Sequence, residues 1–246
     1  MPPAAEVHVW LVRLGTAPTP EKRHLVSHVA LRFVLGELTE TAPESLRFER
    51  RCGHCGNAGH GKPRLVGPAD LDFSLSHSGE LALIAVARGR RVGADVERVR
   101  PRTDVLAIAR GSLAARERRA IESPGTDKAR RDAFFRCWTR KEAYLKARGE
   151  GLGGGLDTFS VPVLDDDPCR PEVPTDPAET DRWLIRSLRA PEGYRAAVAA
   201  EGTWDFQRAR RQSTTLCPPN PKLFERPTAP RPFLVRSPSG RAPSVT

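Results

Sequence analysis

No stretch of this chain reaches the roughly 18–20 consecutive apolar residues that a membrane-spanning helix needs, so no transmembrane segment is expected. The start, Met1-Pro2-Pro3-Ala4-Ala5-Glu6, lacks the charged head and apolar stretch of a secretory signal, and the expected location is cytoplasmic. A complete Gly-x-x-x-x-Gly-Lys-Ser/Thr loop is missing, which excludes a P-loop nucleotidase. A Gly-x-Ser-x-Gly elbow is also missing, and Ser76 and His77 are adjacent in sequence, so no hydrolase of that type is expected. No helix-turn-helix, RNA-recognition or zinc-finger pattern occurs.

Cysteine is sparse and odd in number, with 5 in the chain. Cys137, Cys169 and Cys217 are scattered. Cys52 and Cys55 form a C-x-x-C followed by His60. A zinc ion would need a fourth ligand from His54 or a distant residue, and no second C-x-x-C exists. A redox C-x-x-C would need a thioredoxin-like context, which the surrounding pattern does not provide. The expectation is a loop with two free thiols.

The formal charge is +10, unevenly spread. From residue 206 onward eight basic residues stand against Glu225 alone, giving +7 and leaving +3 for residues 1–205. The body is mildly basic, which suits a polyanionic coenzyme or an acidic protein partner as well as nucleic acid. The 246 residues suffice for one large or two small domains with a real core.

Along the chain, residues 7–14 alternate enough for a first strand. Pro20 and Glu21 open a helix expected over 20–38, with Leu25, Val29, Phe33 and Leu35 as its apolar positions. A short strand is expected over 46–49, then a Gly-rich loop to Gly61. Residues 73–76 and 81–87 read as strands, and the turn 88–91 joins the second of these to 93–97 as a β-hairpin. A long helix over 130–148 carries Phe134, Trp138, Lys141 and Leu145 on one stripe and ends in a Gly-rich loop. Strands follow over 158–163, 183–188 and 194–200, with an exposed Pro- and acid-rich excursion over 165–181. From residue 206 the Pro, Arg, Ser and Thr content predicts a disordered tail. The class is α+β, with an N-terminal half over 1–92, a C-terminal half over 93–205 and a tail over 206–246.

Two acidic motifs carry chemistry. In Gly93-Ala94-Asp95-Val96-Glu97 the carboxylates are two apart on a strand and leave the same face. They repel unless a cation or protons compensate, and a hard cation such as Mg²⁺ takes such oxygens. The alternative is an exposed strand end pairing with Arg98 and Arg100. In Trp138-Thr139-Arg140-Lys141-Glu142-Ala143-Tyr144-Leu145-Lys146, Glu142 and Lys146 share a helix face. That pair can bind a metal and move a proton, or be an ordinary surface ion pair. Trp138 reads as core.

Together these motifs resemble the 4′-phosphopantetheinyl transferases, in particular the large, double-length subgroup of the surfactin-synthetase-activating type. Gly61-Lys62-Pro63 and Phe73-Ser74-Leu75-Ser76-His77-Ser78 stand upstream in the family's order, and Gly149-Glu150-Gly151-Leu152 and Leu156-Asp157-Thr158-Phe159-Ser160-Val161 follow. Ser74 stands where the family commonly has Asn, and Ala94 where it has a larger aliphatic residue. The resemblance implies two similar halves related by a pseudo-twofold axis, each a long helix on a small antiparallel sheet. It implies Mg²⁺-dependent transfer of the 4′-phosphopantetheine arm of coenzyme A to a carrier-protein serine, with release of 3′,5′-ADP. Asp95, Glu97 and Glu142 are the implied metal ligands, Glu142 the base and Lys146 the partner of the leaving phosphate. Arg23, Gly61, Lys62, Ser76, His77 and Lys146 are the implied coenzyme contacts. An acidic acyl or peptidyl carrier protein would dock near residues 149–158, steered by basic residues such as Arg148, and double length implies a monomer. The alternatives are a coenzyme A-binding protein without chemistry and a nucleic-acid binder driven by the basic tail.

Overall fold

The structure, a computed structural model, describes residues 6–15, 19–50, 61–150, 155–164, 167–204 and 206–207, the last two as backbone. The Cys52–Cys55 loop, part of the loop after Gly149 and the tail beyond Gln207 lie outside the described residues.

In chain order the elements are β1 (Val7–Arg13), α1 (Pro20–Thr39), β2 (Phe48–Arg50), β3 (Pro63–Leu65), β4 (Leu71–Ser78), β5 (Leu81–Arg88), β6 (Val92–Arg98), α2 (Val105–Ser112), α3 (Ala115–Glu122), α4 (Asp127–Arg148), α5 (Pro177–Arg182), β7 (Trp183–Ser187), β8 (Tyr194–Glu201) and β9 (Phe206–Gln207). The chain is α+β. One sheet has the order β4-β5-β1-β9, a second β6-β8-β7, and β2 pairs with β3 apart from both. All pairings are antiparallel except β1 with β9.

Strand β5 explains the layering. Residues Leu81 to Ala87 are all buried, as a strand covered on both faces requires. Side chains alternate, so Ala82, Ile84 and Val86 join a core with Leu31, Val34 and Leu35 of α1. Leu81, Leu83, Ala85 and Ala87 join a second core with Val92, Ala94 and Val96 of β6 and Val198 of β8. A third core lies on the far face of the second sheet, where Ala197, Ala199 and Ile185 meet Tyr144 and Leu145 of α4.

Several expectations change. The 88–91 turn does not make a hairpin: β5 already pairs with β1 and β4, so β6 leaves that sheet and becomes the edge of the next. The hairpin is β4–β5 instead. Residues 158–163 form no strand and contribute one bridge, Ser160 to Glu172. Leu25 and Phe33 of α1 are exposed, at 49% and 38%, while Ser27, Ala30, Leu31, Val34, Leu35 and Gly36 turn inward. The excursion before β7 contains α5 and a buried Cys169 bridged to Ile185.

Candidate active site

Gly93 sets the distance between the two acidic motifs. A Cβ there would lie 2.0 Å from the Ala143 carbonyl oxygen and 2.3 Å from the Ala147 nitrogen, both backbone atoms of α4. The helix therefore rests directly on the strand. Alternation puts Asp95 and Glu97 on the same face as Gly93, toward Glu142 and Lys146. Residues Thr139 to Leu145 are all buried, so this part of α4 is enclosed on every side. Gly93→Ala forces helix and strand apart, and we expect it to cost at least about 3 kcal/mol, the upper end for overpacking. A urea midpoint within error of wild type would refute the close approach.

Strand β4 holds the acids in place. Its inward side chains accept from every second amide of β6: Asp72 Oδ2 from Val92 N at 2.8 Å, Ser74 Oγ from Ala94 N at 3.0 Å, Ser76 Oγ from Val96 N at 3.3 Å and Ser78 Oγ from Arg98 N at 3.1 Å. Two edge strands of different sheets are thus laced by side chains, which satisfies amides that would otherwise be orphaned. Two of the hydroxyls also donate onward, Ser76 to Asp95 Oδ1 at 2.8 Å and Ser78 to Glu97 Oε2 at 2.7 Å. Ser74, at the family's Asn position, fills a rung of this ladder.

Lys146 Nζ lies 2.5 Å from Asp95 Oδ1 and 3.1 Å from Ser76 Oγ. Asp95 is 2% exposed, and its Oδ2 has no hydrogen-bond partner. Burial pushes Glu142 up to about 7, with Asp95 and Glu97 adding to the rise and Lys146 opposing it. Burial also raises Glu97, again helped by Asp95, against the Ser78 bond, Arg100 and Lys146. For Lys146 burial pulls downward, but Asp95, Glu142 and Glu97 outweigh it and hold the ammonium above its usual value. Three carboxylates and one lysine thus share one field. As placed, no three His, Cys, Asp or Glu side chains among the described residues close on a point that could hold a metal. The donor chemistry nevertheless fits a hard cation: carboxylate oxygens, one of them buried without a partner, in surroundings that resist further negative charge.

The expected coenzyme residues divide. Ser76 and Lys146 are in the carboxylate site. His77 is exposed beside it, with Nε2 3.2 Å from His24 Nδ1 of α1, and it feels the charges of Arg23 and Lys146. Gly61 has φ 107°, where glycine is favoured, and its carbonyl accepts from Arg50. Lys62 is tied down: its Nζ contacts Asp72 and donates to the Val92 carbonyl at 2.7 Å. Burial lowers its pKa, against the pull of Asp72. Two of its three donors are thereby used.

The profile of the 4′-phosphopantetheinyl transferase superfamily matches residues 91–199, the segment that runs through β6, α4 and β8. The 4′-phosphopantetheinyl transferase HetI of Nostoc sp. (strain PCC 7120) is 32% identical over 188 residues, covering 75% of this chain and 73% of that protein. The chain belongs to the 4′-phosphopantetheinyl transferases. The 4′-phosphopantetheinyl transferase psf-1 of Bacillus pumilus is 31% identical, covering 72% of this chain and 70% of that protein. Sfp of Bacillus subtilis (strain 168) is 28% identical, with 72% and 73% covered.

Sequence reasoning missed several residues of this transferase. Lys141 is 0% exposed and bonds Glu117 Oε1 at 2.7 Å, Oε2 at 2.8 Å and the Phe159 carbonyl at 2.6 Å. Glu117, also 0% exposed, accepts in addition from Val161 N and Ala114 N. The pair fastens the segment after the Gly-rich loop to α3 and α4. Trp138 is half-buried and stacks on Phe134 at the rim of the core. Arg148 meets Glu150 at 2.6 Å and Glu179 at 3.5 Å, so local acids offset much of its charge. The polar alternation of residues 72, 74, 76 and 78 was a readable sign of the β4 ladder.

Proposed function

We propose that this chain transfers the 4′-phosphopantetheine arm of coenzyme A to a serine hydroxyl of an acyl or peptidyl carrier protein in an Mg²⁺-dependent reaction that releases 3′,5′-ADP. The observation that carries the reading is the buried, unpartnered Asp95 Oδ2 within a cluster of Asp95, Glu97, Glu142 and Lys146. Asp95, Glu97 and Glu142 would hold the metal, which supplies charge neutralisation at a pyrophosphate. Glu142 takes the serine proton as general base. The serine oxygen bonds to the β-phosphorus. The bond from that phosphorus to the bridging oxygen breaks, and its electron pair leaves on the 5′-phosphate of 3′,5′-ADP. Lys146 neutralises that charge. Arg23, Gly61, Ser76, His77 and the remaining donor of Lys62 bind the coenzyme.

The wider reading is a member of the large double-length subgroup, cytoplasmic and monomeric, with two halves related by a pseudo-twofold axis. Residues 1–92 would bind coenzyme A. Residues 93–205 would carry the metal site and receive the carrier near 149–158. The basic tail would have no nucleic-acid role. Two observations support the arrangement of halves: α1 packs on the first sheet and α4 on the second. No helix among the described residues is long and apolar enough to cross a membrane.

The test is intact-mass spectrometry of apo carrier proteins incubated with the chain, coenzyme A and Mg²⁺. The expected result is a gain of one phosphopantetheinyl group, lost on chelation and in Asp95→Ala. Unchanged mass for fatty-acid, polyketide and peptide carriers, with coenzyme A bound, would leave a binding protein without chemistry.

A further inference from the structure

Lys62 bridges β4, β6 and the end of α4. Its Nζ contacts Asp72 of β4 and donates to the Val92 carbonyl of β6 at 2.7 Å. Its Cβ lies 3.5 Å from the point where a side chain on Gly149 would begin, against the C-terminus of α4. Asp72 Oδ2 also accepts from Val92 N at 2.8 Å, so both main-chain polar groups of Val92 are tied to the Asp72–Lys62 pair. The ammonium has three donors, and two are used here, which leaves one N–H direction. A lysine stem ordinarily has large rotamer freedom, and these contacts remove it before any ligand arrives.

Position 72 is the one charged rung of the β4 ladder. The amides of Ala94, Val96 and Arg98 are satisfied by the hydroxyls of Ser74, Ser76 and Ser78. Val92 N needs no more than they do, yet it meets a carboxylate. Lys62 is what distinguishes that rung. The side chains of Lys62 and Asp72 are only 13% and 20% exposed, and burial of an ammonium favours its neutral form. Arg64 of β3 and Arg91 of the turn before β6 push the same way, and Asp72 opposes all three. The carboxylate therefore supplies two things that a hydroxyl would not: a countercharge that keeps the lysine protonated, and a fixed direction for it.

We propose that Asp72 is a positioning residue of the coenzyme site, holding Lys62 charged and aimed so that its third N–H meets an anionic oxygen of coenzyme A. The inference rests on the coenzyme reading above and adds Asp72 to it. Asp72 does not touch the coenzyme and acts through Lys62. Without its charge, burial and the two arginines act on Lys62 unopposed, and the lysine gives up its proton more readily. A neutral amine offers no charge to an anion, so coenzyme affinity then falls as pH rises.

The experiment is calorimetric titration of the full chain with coenzyme A between about pH 6.5 and 8.5, beside carrier-mass kinetics, for wild type, Asp72→Asn, Lys62→Met and the double variant. Asp72→Asn keeps an acceptor for Val92 N. It should weaken coenzyme A by about 10–100-fold at the upper pH, the worth of one charge-assisted hydrogen bond, and by less at the lower. The KM for coenzyme A should rise with kcat at saturation largely kept. In the Lys62→Met background Asp72→Asn should change neither affinity nor slope. If Lys62→Met does not fold, Lys62→Arg takes its place: a guanidinium stays charged, so Asp72→Asn should add no pH slope there. A merely structural role for Asp72 lowers the folded fraction, and so kcat, without moving KM or the pH slope. Wild-type affinity and slope in Asp72→Asn, or equal weakening in both backgrounds, overturns the positioning role alone. Unchanged affinity in Lys62→Met removes Lys62 from the coenzyme site and Asp72 with it. No coenzyme A binding by wild type at any pH overturns the functional reading and this inference together.

Discussion

Glu142→Gln will make the metal-free chain more stable at pH 8 while removing its activity. The folded-state carboxyl titrates at about 7 against an ordinary 4.5, chiefly because burial penalises its charge and secondly because Asp95 is beside it. Between those values the folded chain keeps the proton and the unfolded chain releases it. Stability therefore falls as pH rises through this window, and the penalty is complete above about 7. Glutamine never carries the charge. The expected gain at pH 8 in chelator is on the order of 2–3 kcal/mol, shrinking toward zero near pH 5. Added Mg²⁺ should narrow the gap by stabilising wild type more than the variant. Loss of a general base lowers turnover by about 10²–10⁴-fold. Thermal unfolding at both pH values, beside the carrier-mass assay, measures both effects. An unchanged stability at pH 8, or full activity, would remove Glu142 from its assigned place.

Lys141→Met is expected to lower stability by about 3–5 kcal/mol, because it leaves the Glu117 carboxylate buried without a countercharge. The amides of Val161 and Ala114 still donate to Glu117, but neutral donors do not replace an ammonium held between both oxygens. Adding Glu117→Gln removes the stranded charge and should recover a large part of the loss. That recovery separates an ion pair from general packing. The contrast is Arg116 with Glu172, where both side chains are largely exposed and the loss should stay below about 1 kcal/mol. The Lys141 variant should also be cut faster by protease between residues 149 and 164, since Lys141 fastens Phe159 to α4. Equal denaturation midpoints for wild type and Lys141→Met would refute a stabilising role for the buried Lys141–Glu117 ion pair.

Both long helices were legible because their ends carry chemistry. Thr19 caps α1 ahead of Pro20, and Gly149 ends α4 with φ 80°. Helices α2 and α3 were missed because their sequences are short and α3 is mostly charged, burying only Glu117 and Ile121. Helix α5 had a usable sign in Asp176-Pro177, a cap before a proline. The strand assigned over 158–163 failed because Phe159 and Val161 are held by Lys141 and Glu117 rather than by a neighbouring strand.

The sequence by itself determined the family and the α+β class, and it singled out the acidic and basic residues of the proposed site. Those are local facts: a two-residue spacing on a strand, a four-residue spacing on a helix, and motif order. Only the tertiary structure decided that β6 leaves the first sheet, that alternate β4 side chains lace it from the side, and that Lys62 is bound to Asp72 and Val92. It alone brought His24 to His77 across 53 positions and Lys146 to Asp95 across 51. The reason is physical. Periodicity encodes which face a side chain takes, whereas its partner depends on which edges and faces other elements have already filled.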